Sequence, residues 1–191
     1  MDTVSLQDRK YTEQEYFDLL TTSDRKYEFD DGVITMMAGA KRAHNRVLKN
    51  TLFAAERLKK SCELFTSETA VYIPHFNRYY FPDFSAVCGK EDAIDEGGIE
   101  RLLNPALLVE VLSKSTSQND RGKKFEAYKT LPSFREYVMI DSRELLVTTY
   151  YKAEKGLWRI GSYYELDQEV EFLTLGAKIP MSAIYEGVEF E

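Results

Sequence analysis

With 191 residues, of which 43% are hydrophobic, the chain can bury a core of useful size but is short for two domains. It carries neither a Ser/Gly/Pro-rich linker nor a repeat of fixed period, so a single domain over residues 1–191 is expected. A net charge of −7 argues against a protein that coats nucleic acid indiscriminately, since such binding is dominated by Lys and Arg contacts to phosphate.

The opening stretch MDTVSLQDRKYTEQEY is charged throughout and cannot be the apolar core of a signal peptide. No apolar run is long enough to span a bilayer. Cys62 and Cys88 make neither a disulfide framework nor a zinc-type ligand cluster. A cytoplasmic protein with no membrane partner is the resulting expectation. Charge is segregated along the chain. Lys41, Arg42, Arg46, Lys49, Arg57, Lys59 and Lys60 crowd one stretch, with Glu56 its lone acid, whereas acids prevail from Glu154 onward. A local basic face can therefore coexist with an acidic total.

In chain order, Thr12-Glu-Gln-Glu15 reads as a capping box opening a helix to about Leu20. YEFDDGVITMM reads as a hairpin about a tight Asp31-Gly32 turn, with Tyr27, Phe29, Ile34 and Met36 on one face and Glu28 and Thr35 on the other. Residues 41–61 form the longest predicted helix. Ala43, His44, Val47, Leu48, Leu52, Ala55 and Leu58 make its apolar stripe, opposite a face of Arg42, Arg46, Lys49, Arg57 and Lys60. Strands are expected near 64–73 and 80–88, then a loop over the acidic GKEDAIDEGGIE. Ala106–Leu112 is a short apolar run suited to a central strand. A helix over about 119–130 is stopped by Pro132. EYVMID is a further buried strand, and LLVTTYYK, WRIGSYYE and EVEFLTL alternate like a small antiparallel set. Together these predict an α/β (α+β) domain of packed layers.

Glu110 interrupts the apolar run Leu107-Leu108-Val109-Glu110-Val111-Leu112, where an unpaired carboxylate is heavily penalised. Asp83, in FPDFSAV, lies on the neighbouring predicted strand. Two carboxylates about 4 Å apart repel by roughly 4 kcal/mol at an effective dielectric of 20. A hard divalent cation removes that repulsion, so the pair reads as half of a Mg²⁺ site for phosphate chemistry. On the next helix, Lys124 projects between Tyr128 and Leu131 on the buried side while Lys123 points away. Asp83, Glu110 and Lys124 together suit metal-assisted attack on a phosphodiester, with Asp120 and Tyr128 one turn from the lysine on either side to orient it.

At these residues the chain resembles the PD-(D/E)XK nuclease superfamily and, more narrowly, its Uma-two restriction-endonuclease family. YEFDDG, the His44 helix, FPDFSAV, LLVEVLSKST, NDRGKKFEAY and EYVMID carry the resemblance, in that order, from about residue 12 to residue 150. Leu112 stands two after Glu110, where the superfamily usually has lysine; in this family the lysine is thought to have moved to the following helix, here Lys124. The resemblance implies a restriction-endonuclease-like core, a mixed central sheet flanked by helices with extra antiparallel strands. It also implies Mg²⁺-dependent (or Mn²⁺-dependent) cleavage of DNA.

On that reading Asp83 and Glu110 hold the metal with the Val111 carbonyl, Glu28 is a third acid in the catalytic group with Lys124, and His44 lines the site. Arg42, Arg46 and Lys49 are the expected phosphate contacts. A homodimer is expected as well, because a site on one sheet edge reaches only one strand of a duplex. The aromatic C-terminal strands (Tyr150, Tyr151, Trp158, Tyr163, Tyr164) serve either as its interface or as packing within one copy. Two rival readings are a binding module for nucleic acid or protein that keeps the nuclease fold without turnover, and a structural homo-oligomer whose acids bind a stabilising ion.

Overall fold

The computed structural model describes residues 9–96, 99–113 and 120–190. The predicted starting point of the second long helix, Asn119, and the Ser/Thr cluster after Ser113 lie outside the described residues. Helix α1 (Glu13–Thr22) opens with the predicted capping box: the Thr12 side chain accepts from the Glu15 amide, and Glu15 Oε2 accepts from the Thr12 amide at 2.8 Å. Strands β1 (Tyr27–Asp30) and β2 (Val33–Met36) form the expected hairpin, pairing Tyr27 with Met36, Glu28 with Thr35 and Phe29 with Ile34. Asp31 and Gly32 both take positive φ, 45° and 92°, as the tight turn requires.

Helix α2 (Arg42–Leu58) is the longest helix among the described residues. It buries Ala43, Val47, Thr51 and Ala55, with Thr51 satisfied by the Val47 carbonyl at 2.8 Å. Leu58, predicted to be in the stripe, is 45% exposed at the helix end, so the apolar face is shorter than the periodicity suggests. The next predicted strands each divide in two. β3 (Cys62–Thr66) and β4 (Ala70–Ile73) are separated by a turn in which the Thr69 amide meets the Thr66 carbonyl. β5 (Arg78–Tyr80) and β6 (Phe84–Cys88) are separated at Phe81-Pro82-Asp83, where proline has no N–H to extend a ladder. The acidic stretch is not a loop. It supplies a hairpin of β7 (Ala93–Glu96) and β8 (Ile99–Leu102), in which exposed Asp95 and Glu100 stand opposite each other and Leu102 is buried.

β9 (Leu107–Leu112) and β10 (Glu136–Asp141) are buried along their whole length and pair in parallel. Their connection includes a π-helical turn (Asp120–Lys124) that runs into the short helix α3 (Phe125–Tyr128), in place of the regular helix predicted over this segment. β11 (Val147–Lys152) and β12 (Trp158–Tyr163) continue as an antiparallel meander. The last predicted strand does not join them: β13 (Glu169–Phe172) pairs with β14 (Ala177–Pro180) as a separate ribbon, followed by helix α4 (Met181–Ile184).

Two six-stranded sheets result, one ordered β2-β1-β5-β4-β8-β7 and the other β12-β11-β10-β9-β6-β3. In the second, Leu107, Val109 and Val111 face α2, the β13–β14 ribbon and α4. Leu108 and Leu112 face the opposite way, against Tyr128, Leu131 and Phe134. Cys62 and Cys88 stand directly opposite on β3 and β6 and are joined by a disulfide. This corrects the reading of the cysteines as unlinked, and it removes the support they gave to a cytoplasmic setting, where disulfides are rare. Among the described residues no helix is long and apolar enough to cross a membrane.

Of the C-terminal aromatics, Trp158 and Tyr150 pack on Phe125, and Tyr163 packs against the α2-side core. These rings are committed within one copy. Tyr164 remains 60% exposed, and Leu157, Ile160 and Leu166 are exposed as well.

Candidate active site

The four residues expected to carry catalysis come from both sheets and the crossover. The β6–β9 register pairs Phe84 with Val109, so one step further Asp83 stands across from Glu110, as the sequence pattern requires. Asp83 lies just where the ladder stops, and its Oδ2 takes the place of a main-chain partner by accepting from the Val111 amide at 2.6 Å. Glu110 points to the α3 side, into a buried setting where Tyr128 donates to Oε1 at 3.1 Å. Glu28 arrives from β1 of the other sheet and accepts from the Phe81 amide at 3.4 Å.

Lys124 joins these parts. Its Nζ lies 2.8 Å from Glu28 Oε1, 3.2 Å from Glu110 Oε1 and 3.4 Å from Asp120 Oδ1, and 5.4 Å from the centre of the Tyr80 ring. The π-helical turn is what delivers it. In this turn Lys124 is 6% exposed, whereas Lys123 is 53% exposed and pairs with Asp30 outside the cluster. The opposed directions of the two lysines follow the sequence expectation.

Burial governs the electrostatics. It pushes the Glu110 carboxyl well above the ordinary range; Lys124 pulls it back, while Asp120, Asp83 and Glu28 push it further up. Repulsion between Asp83 and Glu110 contributes to this rise, but desolvation is the larger cause. For Lys124 burial acts downward, yet the charges of Glu110 and Glu28 outweigh it and hold the ammonium well above its usual value.

His44 sits in the first turn of α2 with Nε2 3.3 Å from Asp83 Oδ1. Burial lowers its pKa, but the hydrogen bond and charge of Asp83, aided by Asp120 and the Val111 main chain, leave it raised overall. His44 is thus paired with Asp83 and is not a plain core histidine. Arg42, Arg46 and Lys49 are exposed on α2, and Arg42 shares the first turn with His44.

The donor set suits a hard cation in kind: Asp83, Glu110 and Glu28 offer carboxylate oxygens and Val111 a carbonyl. In the present arrangement those carboxylates are engaged by His44, the Val111 amide and Lys124. Among the described residues no group of three or more His, Cys, Asp or Glu is spaced to hold an ion. Sequence reasoning missed the Asp30–Arg78–Lys123 group and the Tyr80 ring. Their signal was the RYY that precedes FPDF, which the register places beside β1.

The chain and its fold belong to a known class. A family model described as "Putative restriction endonuclease", the Uma2 family, matches residues 13–182, and the chain belongs to that family. An uncharacterized Synechocystis protein, slr1290, is 31% identical over 183 residues, 95% of this chain and 94% of its own. A second from the same organism, sll1609, is 31% identical over 163 residues, 84% of this chain and 92% of its own. Among solved structures, "a putative nuclease belonging to DUF820" from Anabaena variabilis superposes with a TM-score of 0.70, covering 91% of this chain and 98% of that one at 16% identity. At that identity the likeness is one of fold, and the fold is restriction-endonuclease-like.

Proposed function

We propose that the chain is a metal-dependent endonuclease that hydrolyses phosphodiester bonds in DNA. The observation that carries this reading is the convergence of Lys124 with Glu28 and Glu110 beside Asp83, four residues drawn from two sheets and a crossover. Structural needs alone give no reason to bury so many charges, since replacing buried ion groups by apolar side chains is often neutral or stabilising. Bound Mg²⁺ or Mn²⁺ would supply Lewis-acid activation of the phosphoryl group and of water. Asp83 and Glu110, with Glu28 and the Val111 carbonyl, would hold it. Tyr128 fixes the rotamer of Glu110 by its hydrogen bond, and His44 orients Asp83. Lys124 positions the attacking water and offsets charge that builds on the phosphoryl oxygens. Arg42, Arg46 and Lys49 contact flanking phosphates. A homodimer cutting both strands would join through the terminal strand β12 and its flanks, where Ile160 on the strand and Leu157, Tyr164 and Leu166 around it are exposed.

A second reading is favoured by one observation: the carboxylates already have partners, which suits a binding module without turnover. A cleavage assay on plasmid and oligonucleotide DNA with Mg²⁺ or Mn²⁺ separates the two. Wild type should cut, and Asp83→Asn and Lys124→Gln, each shown to be folded by circular dichroism, should lose about 10²-fold or more of the rate. Cleavage by both variants at the wild-type rate would remove the site assignment.

A further inference from the structure

One step along the same face of the β1–β5 ladder, a second charged group lies outside the machinery just described. Glu28 and Asp30 are two apart on β1 and so project to one face about 7 Å apart. Arg78 stands opposite Asp30 on β5, and its Nε donates to Asp30 Oδ1 at 2.6 Å. Tyr80 donates to the other carboxylate oxygen at 3.2 Å, and Lys123 forms an ion pair with it. Two cations thus meet one anion beside a catalytic group in which acids outnumber Lys124. The Arg78 guanidinium also lies 4.5 Å over the ring of Phe76, which stands in the exposed turn Pro74–Phe76 and is itself 36% exposed. Asn77 closes that turn at φ 50°, fixing Phe76 relative to β5.

A polyanion approaching the acid cluster is repelled unless cations flank it, and this group brings two cations to the same face of the ladder. Asp30 holds both cations in place before any ligand arrives, which lowers the ordering cost of binding. An exposed aromatic beside a phosphate-binding cation is the combination that grips single-stranded nucleic acid, through stacking and backbone charge together. We propose that Lys123, Arg78 and Phe76 form a landing site for single-stranded DNA leading into the acid cluster: the two cations take a phosphate adjoining the scissile one, and Phe76 stacks a base. Only the position of the scissile phosphate rests on the nuclease reading; the landing site itself is defined by binding.

Fluorescence anisotropy with a labelled single-stranded oligodeoxynucleotide, in EDTA so that nothing is cut, tests it on the full chain. Lys123→Gln should weaken binding about fivefold and make the slope of log affinity against log salt shallower by about 0.7, one single-strand phosphate contact. Phe76→Ala should weaken binding about tenfold with the salt slope unchanged, as loss of stacking requires. Lys178→Gln, an exposed lysine on β14 paired with Glu171, serves as the charge control and should bind as wild type. A purely structural role for Lys123 would change thermal stability without moving the salt slope. Wild-type affinity in both Lys123→Gln and Phe76→Ala overturns the proposal, as does equal loss in Lys178→Gln or no binding by the wild type. Loss of cleavage in Lys124→Gln alongside unchanged binding in these variants would leave the nuclease reading standing and remove this one. Binding loss without any cleavage would do the reverse.

Discussion

The two faces of β9 carry opposite chemistry. Leu107, Val109 and Val111 enter an apolar core with Val47, Ala55, Ile179 and Ile184, stabilised by removal from water and by close packing. Their alternates on the other face are Leu108, Glu110 and Leu112, and Glu110 forces Lys124, Tyr128 and Asp120 to assemble around it. The strand is equally buried on both sides, so depth does not separate structure from function here. The separation lies in which side carries groups whose burial is costly.

That contrast can be broken by substitution. Lys124→Ala leaves Glu110 and Asp120 buried without their cation, and should cost about 3–5 kcal/mol of stability near neutral pH. Leu107→Ala, on the dry face, should cost about 2–5 kcal/mol through the cavity it opens. The two should part company with pH. As pH falls, the Glu110 carboxyl, already raised by burial, takes up a proton and the Lys124→Ala penalty shrinks. The Leu107→Ala penalty should stay constant. Urea denaturation of both variants across the acid range measures this, and parallel losses at every pH would mean the charged face is held by packing like the other.

The metal offers the next, smaller effect. At free Mn²⁺ about a hundredfold above its Kd, a folded-state site adds roughly 2.7 kcal/mol to stability. Thermal unfolding should show that gain in the wild type and lose it in Asp83→Asn, while Leu107→Ala should keep the full increment on its lowered baseline. An increment retained by Asp83→Asn would place the ion elsewhere.

The dry face was less legible in the sequence than the charged one. Glu110 inside an apolar run announces itself, because burying charge has few ordinary reasons, whereas Asp83 after a proline and Lys124 at helical spacing from Tyr128 and Leu131 gain their meaning only beside it. Glu28 could be placed only through the family resemblance, since it reaches the site from the other sheet and a strand acid is otherwise ordinary. The splitting of 64–73 and 80–88 between two sheets was not readable. Local periodicity does not report which partner a strand pairs with, and both halves alternate equally well. The β7–β8 hairpin was hidden by its acids, of which Asp95 and Glu100 pair across the ladder and are exposed. The disulfide depended on the β3–β6 register, which no count of two cysteines supplies.

The smallest expected effect lies at the boundary between the two faces, where His44 leaves the α2 side to meet Asp83. Its folded pKa is raised above the ordinary 6.5 because the Asp83 carboxylate outweighs the lowering effect of burial. The folded state therefore binds this proton more tightly than the unfolded chain. The contribution is fully present below about 6.5 and is lost as pH rises through the raised folded value. In metal-free protein, His44→Gln should thus be less stable than wild type by about 1 kcal/mol in mild acid, a typical hydrogen-bond contribution, and the gap should close toward alkaline pH. Stability curves in EDTA on either side of that window check it. A gap that widened with pH would mean that His44 meets Asp83 as a neutral imidazole, and that its value to the fold is packing.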